Sequence, residues 1–472
     1  MNKRLYQASL LVLILGLVLI PGFVLCGAAA AQKQAPPEGG PAKAFTIPAH
    51  ETYTLPNGMK VTLVPYGILP KVAVSVAVDA GRIDLGPNHT GVDSLTTSML
   101  KEGTTTLTSE QLAAKAGGMG GALSIDGTPD RTVVGIDVLS EFGPEAVRLV
   151  ADVLEHPRLP ESELPRLKND ELREIALDAS RPQTIAAIRF RKILYGDHPY
   201  AIVLPTEENV KKITLDDIKQ YFGANFCAQR SHIYVAGRFD TAAVKSAIEE
   251  SFKGWTKEAS ARTAKAPSPT PQRVLDVTDR PAAPQSTLLV GLPVIPPNHP
   301  DAIPLIVTDA LLGGAFNSRI TSNIREQKGY TYSPYSFISS RYHDSFWAES
   351  ADVTTQFTGP SLKEIFGEIN RLSAEPPPAQ ELKGIQNYLS GIFVIENSNR
   401  SALISQLQNV DFQGLGDSYL KTYVANVNAV TPEVVQKIIQ QYIKPASMTI
   451  VVVGDKSKIS DQITPYEPGK SF

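Results

Sequence analysis

Ser94, Thr97 and Ser98 lie in GVDSLTTSMLKEGT, residues 91–104, at i, i+3 and i+4, so an α-helix places all three hydroxyls on one face. A helix aims metal ligands with this spacing, but a neutral hydroxyl is a poor ligand beside imidazole or carboxylate, and none of the three is an effective general base. Further on, in LKNDELREIAL and the residues after it, Glu171, Glu174 and Asp178 share a second helical face, whose plain role is solvation. The histidines, at 50, 89, 156, 198, 232, 299 and 343, are scattered with no two within four residues. That excludes a helical zinc site of paired histidines and leaves open only ligands gathered from distant segments. No G-x-S-x-G elbow, G-x-x-x-x-G-K-[ST] loop, C-x-x-C pair, H-E-x-x-H or H-x-x-E-H occurs. GGMGG, 117–121, follows a helical pattern and precedes a strand, so it reads as a helix stop and turn rather than a phosphate cradle. His198, in YGDHPY, reads as a residue that orders its own turn.

The elements that must position these residues follow from periodicity. ETYTLPNGMKVTLVP holds two alternating runs around Asn57-Gly58, a strong hairpin signal, and VAVSVAVDAG supplies a third strand. Helical patterns near 91–101 and 109–117 come next, the second opened by Thr108 and Gln111 as a capping box. ALSI and RTVVGIDVL flank the turn residues DGTP, helical patterns fill about 141–226, and the strand SHIYVAG closes the unit. Strands at both ends of a helical block predict an α+β fold with a mostly antiparallel sheet. Residues 256–272, TKEASARTAKAPSPTPQ, have a linker composition. Beyond them the order recurs: strands near 273–278 and 286–292, helices near 300–328, strands at 332–340 and 344–352, long helices over 359–443, and MTIVVVG. TLDDIKQYFGANFCAQRSHIYVAG, 214–237, aligns without a gap on TPEVVQKIIQQYIKPASMTIVVVG, 431–454. Two duplicated half-domains are therefore expected, 47–255 and 273–472.

With 472 residues, 42% apolar and 20% charged, the chain can build more than one core, and a formal net charge of -3 points to no nucleic-acid partner. The start, MNKRLYQASLLVLILGLVLIPGFVLCGAAAAQ, has the basic, apolar and A-x-A parts of a signal peptide over residues 1–31, which implies export to the periplasm. The alternatives are a retained membrane tether, since Ala8–Leu25 approaches spanning length, and lipidation at Cys26, which bulky Leu25 disfavours. Residues 32–46 form a Pro/Gly-rich tether. Once the leader is cut only Cys227 remains, so no internal disulfide can form, and this lone thiol reads as a small core residue.

The hairpin TLPNGMKVTLVP, the strand ending in Ala80-Gly81, GVDSLTTSMLKEGT, DVLEHPRLPESEL and YGDHPY resemble, in order, the first half of the insulinase-type zinc peptidases, the group of pitrilysin and the mitochondrial processing peptidases. GGAFNSRITSNIREQKGYTYS resembles a helix and following strand of that family's second half. The likeness spans about 47–456 and implies a clam of two half-domains, each a sheet packed with helices. Active members carry H-x-x-E-H in the first of these helices. Set on Gly91 and Gly103-Thr104, that motif falls on Ser94, Thr97 and Ser98, so both imidazoles and the base are gone. The family's third zinc ligand falls on Glu174, which alone cannot hold the ion. Arg325 and Tyr332 match the residues with which active members grip the substrate backbone, where a guanidinium fork and a phenol donate to a carbonyl gaining charge.

The resemblance thus implies a non-catalytic subunit that binds peptide, holds no metal itself and supplies Arg325 and Tyr332 to a zinc-bearing partner in a heterodimer. Two other readings are a peptide-binding scaffold without any protease role and a self-sufficient metallopeptidase with unusual ligands.

Overall fold

The computed structural model describes residues 46–255, 262, 267, 269, 271–416 and 418–470; the leader, nearly all of the tether and most of the linker expected above lie outside them. In the first hairpin, Gly58 takes φ 88° and its N–H donates to Leu55 O at 2.9 Å, a conformation open to glycine at little cost. This turn joins β1 (Glu51–Thr54) to β2 (Lys60–Pro65). With β3 (Lys71–Val78), β4 (Leu123–Gly127), β5 (Thr132–Leu139) and β6 (Ser231–Gly237) they form a sheet of order β1-β2-β6-β3-β5-β4. The second sheet holds β7 (Val274–Asp279), β8 (Gln285–Val294), β9 (Tyr335–Arg341), β10 (Asp344–Thr354) and β11 (Thr449–Gly454), in the order β7-β11-β8-β10-β9. Each sheet is antiparallel except for one pair, β2 with β6 and β7 with β11. The expected class holds: two mostly antiparallel sheets packed with helices.

Local signals behave as their chemistry requires. Thr108 Oγ1 accepts from Gln111 N at 3.3 Å and Gln111 Oε1 accepts from Thr108 N at 3.0 Å, closing the capping box that starts the helix Ser109–Gly118. Gly120, at φ 77°, turns the chain toward β4, and Gly121 leaves no room for a Cβ, which would lie 2.3 Å from Asp137 O. GGMGG is thus a helix stop. The stretch near 300–328 departs from the expected helix: an α-helix, Ala302–Asp309, passes into wide π turns at Ala310–Gly314 and Ser322–Gln327, with a break between them.

Both β6 and β11 are buried along their whole length, which explains why SHIYVAG and TIVVVG lack alternation. One face of the first sheet packs Val72, Val74 and Val76 against helices of its own half, including Val92–Leu100 and Gly143–Glu155. Its other face, at Ala73, Ala77, Tyr234 and Ala236, is covered by Leu403, Ile404, Leu407 and Val410 of the helix Arg400–Gln413, from the second half. The reverse also holds: Phe346, Ala348, Val451 and Val453 of the second sheet pack under Ala186, Phe190 and Leu194 of the helix Pro182–Tyr195, from the first half.

Polar contacts fix the register of this exchange. Arg400 forks onto Asp137 at 2.8 and 2.5 Å, Arg189 forks onto Asp276 at 3.0 and 2.5 Å, and Tyr195 donates to Asp344 at 2.6 Å. Tyr234 donates to Asp411 at 2.5 Å, so its oxygen accepts from His232 Nδ1–H at 2.8 Å, and His232 Nε2 is left to accept from Thr62 at 2.8 Å. Burial pushes the His232 pKa down to about 3, keeping the ring neutral in this relay.

Phe190 is fully buried between the halves. Phe190→Ala is expected to cost about 3–5 kcal/mol, read as a lower midpoint in chemical denaturation; an unchanged midpoint would show that the exchanged helix carries little of the stability.

Candidate functional site

The helix Val92–Leu100 starts at Gly91, whose φ of 99° and close neighbours Val210 and Pro205 admit no side chain without strain. Its hydroxyls are occupied locally. Ser94 Oγ lies 3.0 Å from Gly91 O and 2.9 Å from Glu171 Oε1, sharing one proton between two acceptors. Thr97 Oγ1 donates back to Asp93 O at 2.9 Å and sits against Gly127, at the end of β4. Ser98 is half-buried and Glu174 exposed. Of the stripe on the helix Leu164–Ala179, Glu171 is the acid that meets the hydroxyl face. Burial raises its pKa and the Ser94 hydrogen bond opposes the rise, with Asp93 and Glu174 adding to it and Arg82 opposing it. Asp93 itself pairs with Arg82 at 3.2 Å. Among the described residues no group of three or more His, Cys, Asp or Glu side chains could hold a metal ion. The donors here are short alcohols already engaged with backbone carbonyls and a carboxylate, and they do not fit zinc.

The second cluster is built differently. Gly329, at φ 63°, closes the turn after Ser322–Gln327, with Gly329 N donating to Arg325 O at 3.1 Å and Tyr330 N to Ile324 O at 2.9 Å. Tyr330 stacks on Phe357 at 4.5 Å between centroids, and Thr331 Oγ1 donates to Asp352 O at 2.7 Å. Those contacts tie the segment to the end of β10 and leave Tyr332 projecting, 81% exposed, with no hydrogen bond from its hydroxyl to a described residue. The guanidinium carbon of Arg325 lies 5.0 Å from the Tyr332 ring centroid and 4.3 Å from that of Phe316. Among the described residues its one acid partner is exposed Glu326, at 3.3 Å, a weak pair in water. Arg325, Tyr332, Gln285, Gly329 and Thr354 line a cleft of about 520 Å³. The fold thus brings together Ser94 with Glu171, and Arg325 with Tyr332; no hydrogen bond or ring contact joins the first pair to the second.

Beneath the Phe316 turn lies a feature that sequence reasoning missed. Glu349, on β10, is fully buried with neither carboxyl oxygen bonded to a described residue. A Cβ on Gly313 would lie 2.6 Å from Glu349 Oε2 and from Ser336 Oγ, so only glycine lets the turn settle on this carboxyl. Nearby Asp309 accepts from Ser336 Oγ at 2.5 Å and Trp347 Nε1 at 2.7 Å. Burial pushes Asp309 up to about 6, against the two hydrogen bonds it accepts, and burial with the neighbouring Asp309 pushes Glu349 well above its ordinary value.

Two family descriptions match the chain: "Insulinase (Peptidase family M16)" over residues 68–204 and "Peptidase M16 inactive domain" over residues 212–389. The chain belongs to the insulinase family. A Bacillus subtilis relative named "Uncharacterized zinc protease YmxG" is 25% identical over 391 residues, covering 82% of this chain and 94% of that protein. A Helicobacter pylori relative named "Non-peptidase homolog YmxG" is 23% identical over 398 residues, covering 83% and 90%. The crystal structure of a peptidase M16 inactive domain from Pseudomonas fluorescens has the same fold, with a TM-score of 0.80 at 23% identity over 86% of this chain and 98% of that one.

In this insulinase-family chain Phe316 carried no sequence signal, because a lone Phe in GGAFNS reads as a core residue. Glu349 could have been noticed as an acid inside the apolar run FWAESADV. With both carboxyls raised by burial, Asp309 below about pH 6 and Glu349 to higher pH keep protons in the folded chain that unfolding releases. Their contribution is therefore complete below about pH 4 and is lost as pH rises through about 6 and beyond. Stability is expected to fall by up to about 1.4 kcal/mol per pH unit for each proton released, and Glu349→Gln to flatten that decline between pH 5 and 8 in denaturant titrations. Parallel curves for the two proteins would show that Glu349 does not titrate with unfolding.

Proposed function

We propose that this chain is the non-catalytic subunit of an exported zinc peptidase of the insulinase type. It binds unfolded peptide and lends Arg325 and Tyr332 to a partner chain that brings the zinc. One observation carries the reading: the first half has hydroxyls where metal chemistry needs imidazole and carboxylate, whereas in the second half Arg325 and Tyr332 sit together on an open cleft. The alternative for Arg325, a purely structural ion pair with a buried acid, finds no support, because the acid it meets among the described residues is an exposed neighbour. The name of the Helicobacter pylori relative, a non-peptidase homologue, agrees with a chain that does not catalyse. Export rests on the leader and remains part of the proposal.

The chemistry assigned to this chain is positioning. An extended peptide pairs with the free edge of β4, the last strand of the first sheet, through main-chain hydrogen bonds. Arg325 and Tyr332 then donate to a peptide carbonyl, and that donation strengthens as the oxygen gains negative charge in the partner's reaction.

The chain alone is expected to hold substoichiometric zinc in elemental analysis and to cleave no peptide in a chelator-sensitive way. Paired with an H-x-x-E-H insulinase-family chain encoded beside it, Arg325→Ala or Tyr332→Phe should lower kcat/KM about 10²–10³-fold each. Full activity of the pair with both residues changed would leave a peptide-binding scaffold as the surviving reading. Tight zinc and cleavage by the chain alone would overturn both.

A further inference from the structure

Phe316 is 70% exposed, yet the backbone that carries it is held on both sides. Ala315 and Ser318 are buried; Ala315 N donates to Ala310 O at 3.0 Å, Ser318 N to Ala315 O at 2.9 Å, and Ser318 Oγ to Thr321 Oγ1 at 3.0 Å. On the N-terminal side, Gly313 rests on Glu349 and Ser336, and Gly314 lies close to Asp309, where a Cβ would come within 2.8 Å of Oδ2. The turn is thus a fixed mount. What it presents to solvent is an aromatic ring that gains little from the core, set 4.3 Å from the Arg325 guanidinium carbon.

Arg325 keeps only 20% of its side-chain surface open, although the two rings beside it are themselves exposed. Without such cover a long cation in an open cleft samples many rotamers, and the exposed pair it makes with Glu326 at 3.3 Å is too weak to hold it in one. The ring faces add to that pair: cation–π attraction at exposed sites is of the same size as an exposed ion pair, and the flat guanidinium is the cation best suited to stack.

We infer that Phe316 is a positioning residue of this site. Its ring, with that of Tyr332, holds the Arg325 guanidinium flat against aromatic faces, so that its N–H edge is oriented to meet a peptide carbonyl before the peptide arrives. The role rests on the reading of Arg325 and Tyr332 as peptide-gripping residues. It adds that the grip is preorganised by a third residue, which acts through Arg325.

The test uses the full chain and one probe, fluorescein-labelled casein that has been reduced and alkylated, with binding read by anisotropy. Phe316→Leu should weaken binding by about 2–5-fold, the scale of one exposed cation–π contact, with the thermal midpoint unchanged because the side chain is exposed. Phe316→Tyr should restore it. In an Arg325→Ala background, Phe316→Leu should have no further effect, since the ring acts through the guanidinium. Wild-type affinity in Phe316→Leu, or an equal loss with and without Arg325, overturns the inference while peptide gripping by Arg325 stands. Binding that ignores Arg325→Ala overturns the gripping reading, and the role of Phe316 falls with it.

Discussion

Neither sheet can bury its second face within its own half. The apolar side chains of β3 and β6 that point away from their own helices are covered by Arg400–Gln413, and those of β8, β10 and β11 by Pro182–Tyr195. Since burial is the dominant favourable term in folding, this exchange makes the two halves one cooperative body rather than two neighbours. It also links the two clusters of interest. The helix Leu164–Ala179, which brings Glu171 to the hydroxyl face, runs almost directly into Pro182–Tyr195. Gln183 Nε2 donates to Asp352 Oδ2 at 2.7 Å, and the carbonyl of Asp352 receives Thr331, the residue before Tyr332.

Within that shared body the two halves carry different chemistry. In the first, Ser94 and Thr97 turn their protons inward to backbone carbonyls and Glu171, as satisfied polar groups do in an ordinary interior. The second half keeps costly features. Two carboxyls are buried with no ion pair among the described residues, wide π turns interrupt a helix, and the rings of Phe316 and Tyr332 face water. Departures from local rules concentrate at sites with a task, and their distribution here agrees with the role proposed for the second half.

Much of this was legible in the residues. The Asn57-Gly58 hairpin, the Thr108 capping box and the GGMGG stop are local chemistry and form as read. His198 accepts from Tyr200 N at 3.2 Å and caps its own turn, and Cys227 is buried. The mixed strand directions were not legible, because the parallel pairing of β2 with β6 joins segments far apart in the chain. Nor was the interrupted helix near Ala310: its wide turns answer to Glu349 and Ser336 on neighbouring strands, which no window along the sequence contains. Which acid of the stripe turns inward was not legible either: helix orientation decides it, and Glu171 is the one that reaches Ser94.

The swapped helices have a consequence for the strap between the halves. Each half grips the other through side chains, and between Trp255 and Pro271 the described polar and ring contacts to the body are those of Arg262, on Asp84, the carbonyl of Asp130 and the Tyr342 ring. A molecule nicked by a protease in that stretch would therefore remain whole as two interlocked fragments, and the same halves made as separate polypeptides have the surfaces needed to find each other.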